Sequence, residues 1–137
     1  MDTAAASQLA AQLELQRDEL CAHVASRLLQ GFPDITQTLR LEEQYSPELR
    51  LSEVAVLRFN ELVRAVLLFE LPELANKEFS WARGVLPRHG VTIEHQYALI
   101  SVFFEEVRRL NLGPAELQLA RDVEHEILNQ IQCAYLN

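Results

Sequence analysis

The sequence predicts an all-α domain of five or six helices, and three observations support this fold class. Residues 3–30 contain neither glycine nor proline, and leucine and valine recur among them at helical spacing. Glycine and proline residues then divide the rest of the chain into further segments with the same periodicity. No segment of useful length alternates apolar and polar residues as a half-buried β-strand does. A chain of 137 residues has the length of one domain, so we expect a single unit over residues 1–137.

The first predicted helix covers residues 3–30, and Gly31-Phe32-Pro33 ends it. Glycine accepts the left-handed conformation that follows many helices, and proline prevents the helix from continuing. A helix of this length spans about 40 Å at 1.5 Å per residue, more than a compact domain of this size needs. The early turns also have nothing upstream to pack against. We therefore predict that Leu9 and Leu13 are exposed on the monomer and form part of a homodimer interface.

The remaining helices have recognisable start signals. Asp34 is placed to cap a short helix that runs to about Glu43, and Ser46 with Pro47 starts a helix that runs to about Glu70. Pro72 opens the next helix, which ends at residues 87–90.

Two further helices are predicted in the C-terminal half of the chain. Thr92 is the predicted N-cap of a helix that continues to about Leu110. The sharp turn at Leu112-Gly113-Pro114 precedes a last helix that includes residues 117–134.

Composition excludes several functions and locations. A net charge of −8 with only one adjacent basic pair, Arg108-Arg109, disfavours nucleic-acid binding, since the phosphate backbone repels an acidic protein. No apolar run approaches the roughly 20 residues of a membrane span, and residues 1–6 lack the charged and apolar regions of a signal peptide. We expect a cytoplasmic protein in which Cys21 and Cys133 are buried or half-buried thiols; a disulfide between them is the alternative.

No motif of an enzyme or of a metal site is present. His89 and His95 stand six residues apart without the short His and Cys spacings of a zinc site, and no Gly-x-Ser-x-Gly elbow occurs. Paired acids such as Glu105-Glu106 are interpreted as solvated helix faces. We therefore expect no catalytic residue, no metal ligand and no resident cofactor.

The segment from Trp81 to Tyr97 is the best candidate for a ligand site. It contains the only tryptophan, two of the four histidines and two of the four glycines, and it joins two predicted helices through a corner. We expect Trp81 to lie in the core, and the aromatic residues around it to pack together or to line a cavity. The candidate pocket residues are Phe59, Trp81, Leu86, His89, His95 and Phe103.

The corner at Gly90-Val91-Thr92-Ile93-Glu94-His95 resembles the start of the helix that follows the proximal histidine in bacterial globins. In those proteins the haem-ligating histidine stands four residues before the glycine. Leu86 occupies that position here, and His89 stands one residue before Gly90. An aliphatic side chain cannot ligate iron, so the resemblance implies a globin-like fold without haem.

A longer run, from Trp81 to Leu110, looks like the N-terminal helical domain of RsbR-type stressosome proteins and related bacterial regulators. The resemblance covers about the second half of the chain and includes Phe103-Phe104-Glu105-Glu106. That family has a haem-free, globin-like sensory fold and is commonly dimeric. The resemblance therefore implies signal reception through protein contacts or a small ligand, and transmission to other regulatory proteins or to an output domain.

A second resemblance implies a different ligand. The cobalamin-binding helical bundles of light-sensing regulators carry a tryptophan followed nine residues later by Glu-His. Trp81 and Glu94-His95 are the same residue types, separated here by twelve residues. The two hypotheses are thus a sensory or regulatory domain without catalysis, and a sensor or carrier that holds a tetrapyrrole such as haem, bilin or cobalamin in an aromatic cavity.

Overall fold

The computed structural model describes residues 1–33, 55–70, 73–85 and 92–136. Within these ranges the chain forms six α-helices and no β-strand, which confirms the predicted all-α class. The predicted helix over residues 34–43 and the start signal at Ser46 lie outside the described residues. The helices are α1 (Thr3–Leu15), α2 (Arg17–Gly31), α3 (Leu57–Phe69), α4 (Glu73–Val85), α5 (Ile93–Arg108) and α6 (Pro114–Leu136).

The single long helix predicted over residues 3–30 is divided into α1 and α2 at Gln16. The Gln16 backbone has φ −98° and ψ 10°, away from helical values, although the flanking backbone hydrogen bonds from Gln16 to Gln12 and from Leu20 to Gln16 are both 2.9 Å. Neither glycine nor proline causes this break. The Asn60 side-chain amide on α3 donates to the Leu13 carbonyl, 3.5 Å away, so a distant helix occupies a carbonyl next to the break.

Leu9 and Leu13 are buried within the chain, each with 1% of its surface exposed. The prediction that they form an exposed dimer interface is therefore wrong. Helix α1 packs against both α3 and α6, which follow it in the chain by many residues and cover its apolar stripe. The apolar side chains of α1 are therefore buried by other helices of the same chain, and no second copy is needed to cover them.

Polar contacts at the ends of α1 and α3 show that these helices run antiparallel. The Thr3 hydroxyl donates to the Glu70 carboxylate at one end, and Asn60 contacts the Leu13 carbonyl toward the other. The Arg64 side chain also donates to the Ala10 carbonyl between these points. Two polar side chains of α3 thus meet backbone carbonyls of α1.

Helix α6 packs against three other helices, α1, α4 and α5. Helices α5 and α6 are antiparallel. Arg108 forms an ion pair with Glu124 near the turn that joins them, and the Gln96 side chain donates to the Tyr135 hydroxyl at the opposite end of the pair. The Arg83 guanidinium donates to the Ala134 carbonyl, which joins the C-terminal ends of α4 and α6.

Two of the predicted helix starts are confirmed in detail. Thr92 is the N-cap of α5, and its hydroxyl accepts from the backbone N–H of His95. Pro114 is the first residue of α6, directly after Gly113, where proline loses no helical hydrogen bond. Helix α4 likewise begins one residue after Pro72.

Helix α3 is followed by its C-cap Glu70, the only non-glycine residue with positive φ in the described ranges (φ 54°, ψ 39°). This left-handed conformation brings Cβ close to the backbone in every residue except glycine. Replacing Glu70 with glycine should therefore raise the free energy of unfolding by about 0.5–1 kcal/mol, measured by urea unfolding. The control is Glu73→Gly in the first turn of α4, where glycine should lower stability instead. A Glu70→Gly protein that is less stable than the parent contradicts this account of the cap.

Candidate functional site

Four of the six residues predicted to line an aromatic pocket are described by the structure: Phe59, Trp81, His95 and Phe103. Phe59 and Phe103 are buried and meet edge to face, with ring centroids 5.0 Å apart. Phe104 contacts both rings in the same geometry, at 6.2 and 5.3 Å. Edge-to-face rings at these distances are packed core aromatics. Leu86 and His89 lie outside the described residues, so their predicted roles stay predictions.

His95 is buried, and its hydrogen bonds cap the N-terminus of α5. Its Nδ1 accepts from the Thr92 backbone N–H at 3.2 Å, while its own backbone N–H donates to the Thr92 hydroxyl at 3.2 Å. This reciprocal capping box uses His95 where glutamate or glutamine usually stands. The imidazole also meets the Phe32 ring edge to face at 4.9 Å. Because Nδ1 already accepts a hydrogen bond, His95 has a structural role that accounts for its burial.

Trp81 is 52% exposed, so the prediction that it lies in the core is wrong. The buried side chains of α4 are Ala75, Phe79 and Ala82. An interval of two residues turns a helix by about 200°, which places Trp81 on the side opposite Phe79. The Arg58 guanidinium stacks 5.4 Å from the centre of the Trp81 ring.

Trp81 shares one side of the α3–α4 hairpin with the exposed Phe69 and with three partly buried apolar residues, Leu62, Ala65 and Leu74. On α3, Leu62, Ala65 and Phe69 follow Arg58 at intervals of four, seven and eleven residues and therefore lie on one side of the helix. On α4, Leu74 precedes Trp81 by two turns. Phe69 is 68% exposed. We call this surface the α3–α4 strip and define it by Leu62, Ala65, Phe69, Leu74 and Trp81.

An open cleft of about 390 Å³ lies elsewhere, where the N-terminus, α3 and α6 meet. None of the residues predicted for the aromatic pocket lines it. Its walls are aliphatic except for two carboxylates of α6. The lining residues are Met1, Val66, Leu119, Asp122, Val123, Glu126 and Ile127. No candidate site residue was predicted in this part of α6, although the four-residue spacing of Val123 and Ile127 beside Asp122 and Glu126 is visible in the sequence.

Glu106 is buried between α2 and α5, with 8% of its side chain exposed. Sequence reasoning had interpreted Glu105-Glu106 as a solvated face. Arg27 of α2 binds both carboxylates, Glu106 at 3.1 Å and Glu105 at 2.6 Å, and these hydrogen bonds, the one to Glu105 first, raise the pKa of Arg27. Arg109 adds a third ion pair at 3.1 Å, and His23 Nδ1 lies 4.0 Å from Glu106. The cluster joins two helices that are distant in sequence.

Both cysteines are free thiols; Cys21 is buried as predicted, whereas Cys133 is exposed. Burial raises the pKa of Cys21 to about 11, because the thiolate loses its hydration. At pH 8 a colorimetric disulfide reagent should therefore titrate one thiol in the folded protein and two after unfolding.

The Cys133→Ser variant is the control for thiol titration, since it should retain no fast-reacting thiol. Two fast thiols in the folded parent would contradict the burial of Cys21. The folded state holds the Cys21 proton more tightly than the unfolded state, so this contribution to stability is present below pH 9 and lost as pH rises toward 11.

No cluster of three or more His, Cys, Asp or Glu side chains suited to a metal ion occurs in the part of the chain that the structure describes. Over the same residues, no helix is long and apolar enough to cross a lipid bilayer. Comparison with protein-family models, with curated proteins and with solved structures finds no match to this chain.

Proposed function

We propose that this chain is a non-enzymatic sensory or regulatory domain that acts by binding another protein through the α3–α4 strip. The observation that carries the proposal is the exposure of Trp81, the only tryptophan of the chain. Tryptophan is the residue type most enriched among those that dominate protein–protein binding energy. The core of a chain of this length is large enough to bury one tryptophan, yet about half of the Trp81 surface is exposed to solvent.

The surroundings of Trp81 support a contact surface. Arg58 stacks on the ring and also pairs with Glu78, which limits the orientations open to the indole before a partner arrives. Phe69 provides a second exposed aromatic ring on the same side of the hairpin. Aromatic residues and arginine are enriched in protein interfaces, and restricting side chains in advance lowers the entropic cost of association.

The sensory part of the proposal extends the resemblance of residues 81–110 to RsbR-type domains. In this proposal the fold is globin-like, the protein is cytoplasmic, and the partners are regulatory proteins or an output domain. A homodimer also stays a prediction. Since Leu9 and Leu13 are buried, a symmetric pair would use the α3–α4 strip instead.

A tetrapyrrole site is less well supported by the described residues. Phe59 and Phe103 pack on each other, Trp81 faces solvent, and the cleft of about 390 Å³ has aliphatic and acidic walls. An ultraviolet–visible spectrum of freshly purified protein tests this rival, since haem, bilin or cobalamin absorbs strongly in the visible. We expect absorption from aromatic side chains alone.

Photocrosslinking tests the proposed contact surface. A benzophenone amino acid placed at position 81 in cells that normally produce the protein should give one covalent adduct of defined mass. The matched control carries the same group at Leu15, which is 74% exposed on α1 and lies outside the strip. A Phe69→Ser change at the other end of the strip should reduce the adduct at position 81.

The mass of the adduct identifies the kind of partner. Twice the mass of the chain indicates a homodimer through the strip, and any other defined mass indicates a second protein. No adduct at position 81, or equal adducts at positions 81 and 15, would refute the α3–α4 strip as the contact surface.

A further inference from the structure

We infer that the partner of the α3–α4 strip is a second copy of this chain, bound in reversed orientation, so that the turn end of each strip lies against the open end of the other. This inference rests on the proposed function, because it names the partner of the same surface. It is based on the positions of the two exposed rings, on the charge at the two ends of the strip and on the exposed apolar area.

The two exposed rings stand at opposite ends of the strip. Phe69 is the last residue of α3 and lies next to the turn of the hairpin. Trp81 stacks with Arg58, in the first turn of α3, at the end away from the turn, which we call the open end. Arg58 and Phe69 are eleven residues apart, about 16 Å along the helix. When two strips meet face to face in reversed orientation, each exposed ring contacts the other strip instead of water.

The two ends of the strip differ in charge. At the turn end, Glu70 and Glu73 are exposed; Glu70 accepts a hydrogen bond from the neutral Thr3 hydroxyl, and Glu73 has no ion pair within the described ranges. At the open end, 63% of the Arg58 side chain is exposed, and its Nε donates to Glu78. The two terminal nitrogens of Arg58 have no hydrogen bond to another described residue. Reversed pairing therefore places these nitrogens opposite the acids of the other copy.

A reversed pair has closed two-fold symmetry, so each contact between the copies occurs twice. Arg58 of each copy lies opposite the turn end of the other copy. Pairing in the same orientation would instead bring the two Arg58 side chains together and would gather the acids of both turn ends. Like charges that face each other across an interface disfavour that arrangement. The charge pattern thus favours the reversed orientation.

The exposed apolar area is that of a weak dimer. A whole aromatic side chain offers about 150–250 Å², so exposures of 52% for Trp81 and 68% for Phe69 leave about 120 Å² on each. The four rings of two copies therefore supply about 500 Å², and the partly buried Leu62 and Leu74 adjoin them. Interfaces below about 1,200 Å² belong to weak and transient complexes. We expect a reversible dimer with a Kd in the micromolar range.

Charge-reversal variants test the reversed pairing by sedimentation velocity across the micromolar range. The parent should dimerise. Arg58→Glu should raise the Kd about tenfold or more, because each new glutamate faces the acids of the other copy. The Glu70→Arg/Glu73→Arg variant should raise it similarly, because its turn end then faces Arg58. An equal mixture of the two variants should dimerise as the parent does, since opposite charges meet at both ends of the mixed pair.

Three matched variants test whether the strip itself forms the interface. Arg121→Glu on α6 and Glu19→Arg on α2 reverse charges at exposed positions outside the strip and should leave the Kd unchanged. Trp81→Ser removes an exposed ring and should abolish dimerisation. Circular dichroism should show each variant folded as the parent is.

A parent that stays monomeric across the micromolar range would overturn the inference. If photocrosslinking at position 81 then gives an adduct of another mass, the strip is still the contact surface and only the partner named here is wrong. A mixture that stays monomeric while the parent dimerises would overturn the reversed orientation. A dimer that persists in both Arg58→Glu and Trp81→Ser, or that is weakened equally by Arg121→Glu, would overturn the strip as its interface.

Discussion

Replacing Phe103 with alanine should lower the free energy of unfolding by about 3–5 kcal/mol, the usual cost of emptying a large aromatic site in a core. Phe103 has no exposed surface, and its ring contacts both Phe59 and Phe104. The other two rings would each lose an edge-to-face partner and border a cavity. Urea unfolding followed by circular dichroism measures the effect, and an unchanged denaturant slope would show that only the folded state was altered.

Trp81→Ala is the matched control for Phe103→Ala, and here we expect a loss below about 1 kcal/mol. More than half of the Trp81 side chain is already in water, and its stacking with Arg58 is the contact that alanine removes. A Trp81 variant as unstable as the Phe103 variant would place the tryptophan in the core and would remove the main support for the proposed contact surface.

Replacing Glu106 with alanine should lower the free energy of unfolding by about 2 kcal/mol. Glu106 is buried and accepts charged hydrogen bonds from Arg27 and Arg109, each at 3.1 Å. Charged hydrogen bonds contribute about 1.5–3 kcal/mol, and breaking a buried pair leaves its partner less well solvated than in water. The measurement is urea unfolding at neutral pH.

The adjacent Glu105 is the control for Glu106, because it binds the same arginine at a shorter distance, 2.6 Å. Its side chain is 44% exposed, so solvent screens the pair and Glu105→Ala should cost less than about 1 kcal/mol. If burial decides the energy, the Glu106 variant is the less stable of the two. The reverse order would show that distance to Arg27 matters more than burial.

The predicted starts of α4, α5 and α6 are confirmed, because each depends on neighbouring residues. Thr92 caps α5 through a residue three positions later, and Gly113 with Pro114 separates α5 from α6. The side chain that completes this N-cap was not predicted from the sequence: His95 Nδ1 accepts from the Thr92 backbone N–H and completes the capping box.

The sequence also contained a periodicity that was misread. The sequence analysis predicts Trp81 in the core, although Trp81 stands two residues from Phe79 and two residues turn an α-helix by about 200°. Strict use of the helical period predicts Trp81 opposite Phe79, and the structure places it there. The exposed tryptophan, on which the proposed function rests, was thus available from local geometry alone.

By itself, the sequence determined the all-α class and most of the helix boundaries within the described ranges, because these depend on residues within about four positions of one another. Tertiary structure alone decided what covers each stripe. Arg27 reaches Glu106 across 79 positions, and Asn60 reaches Leu13 across 47. Such pairings arise only when the helices pack. Helix packing buries Leu9 and Leu13, which were predicted at a dimer interface, and Glu106, which was predicted in solvent. The same packing leaves the α3–α4 strip on the surface.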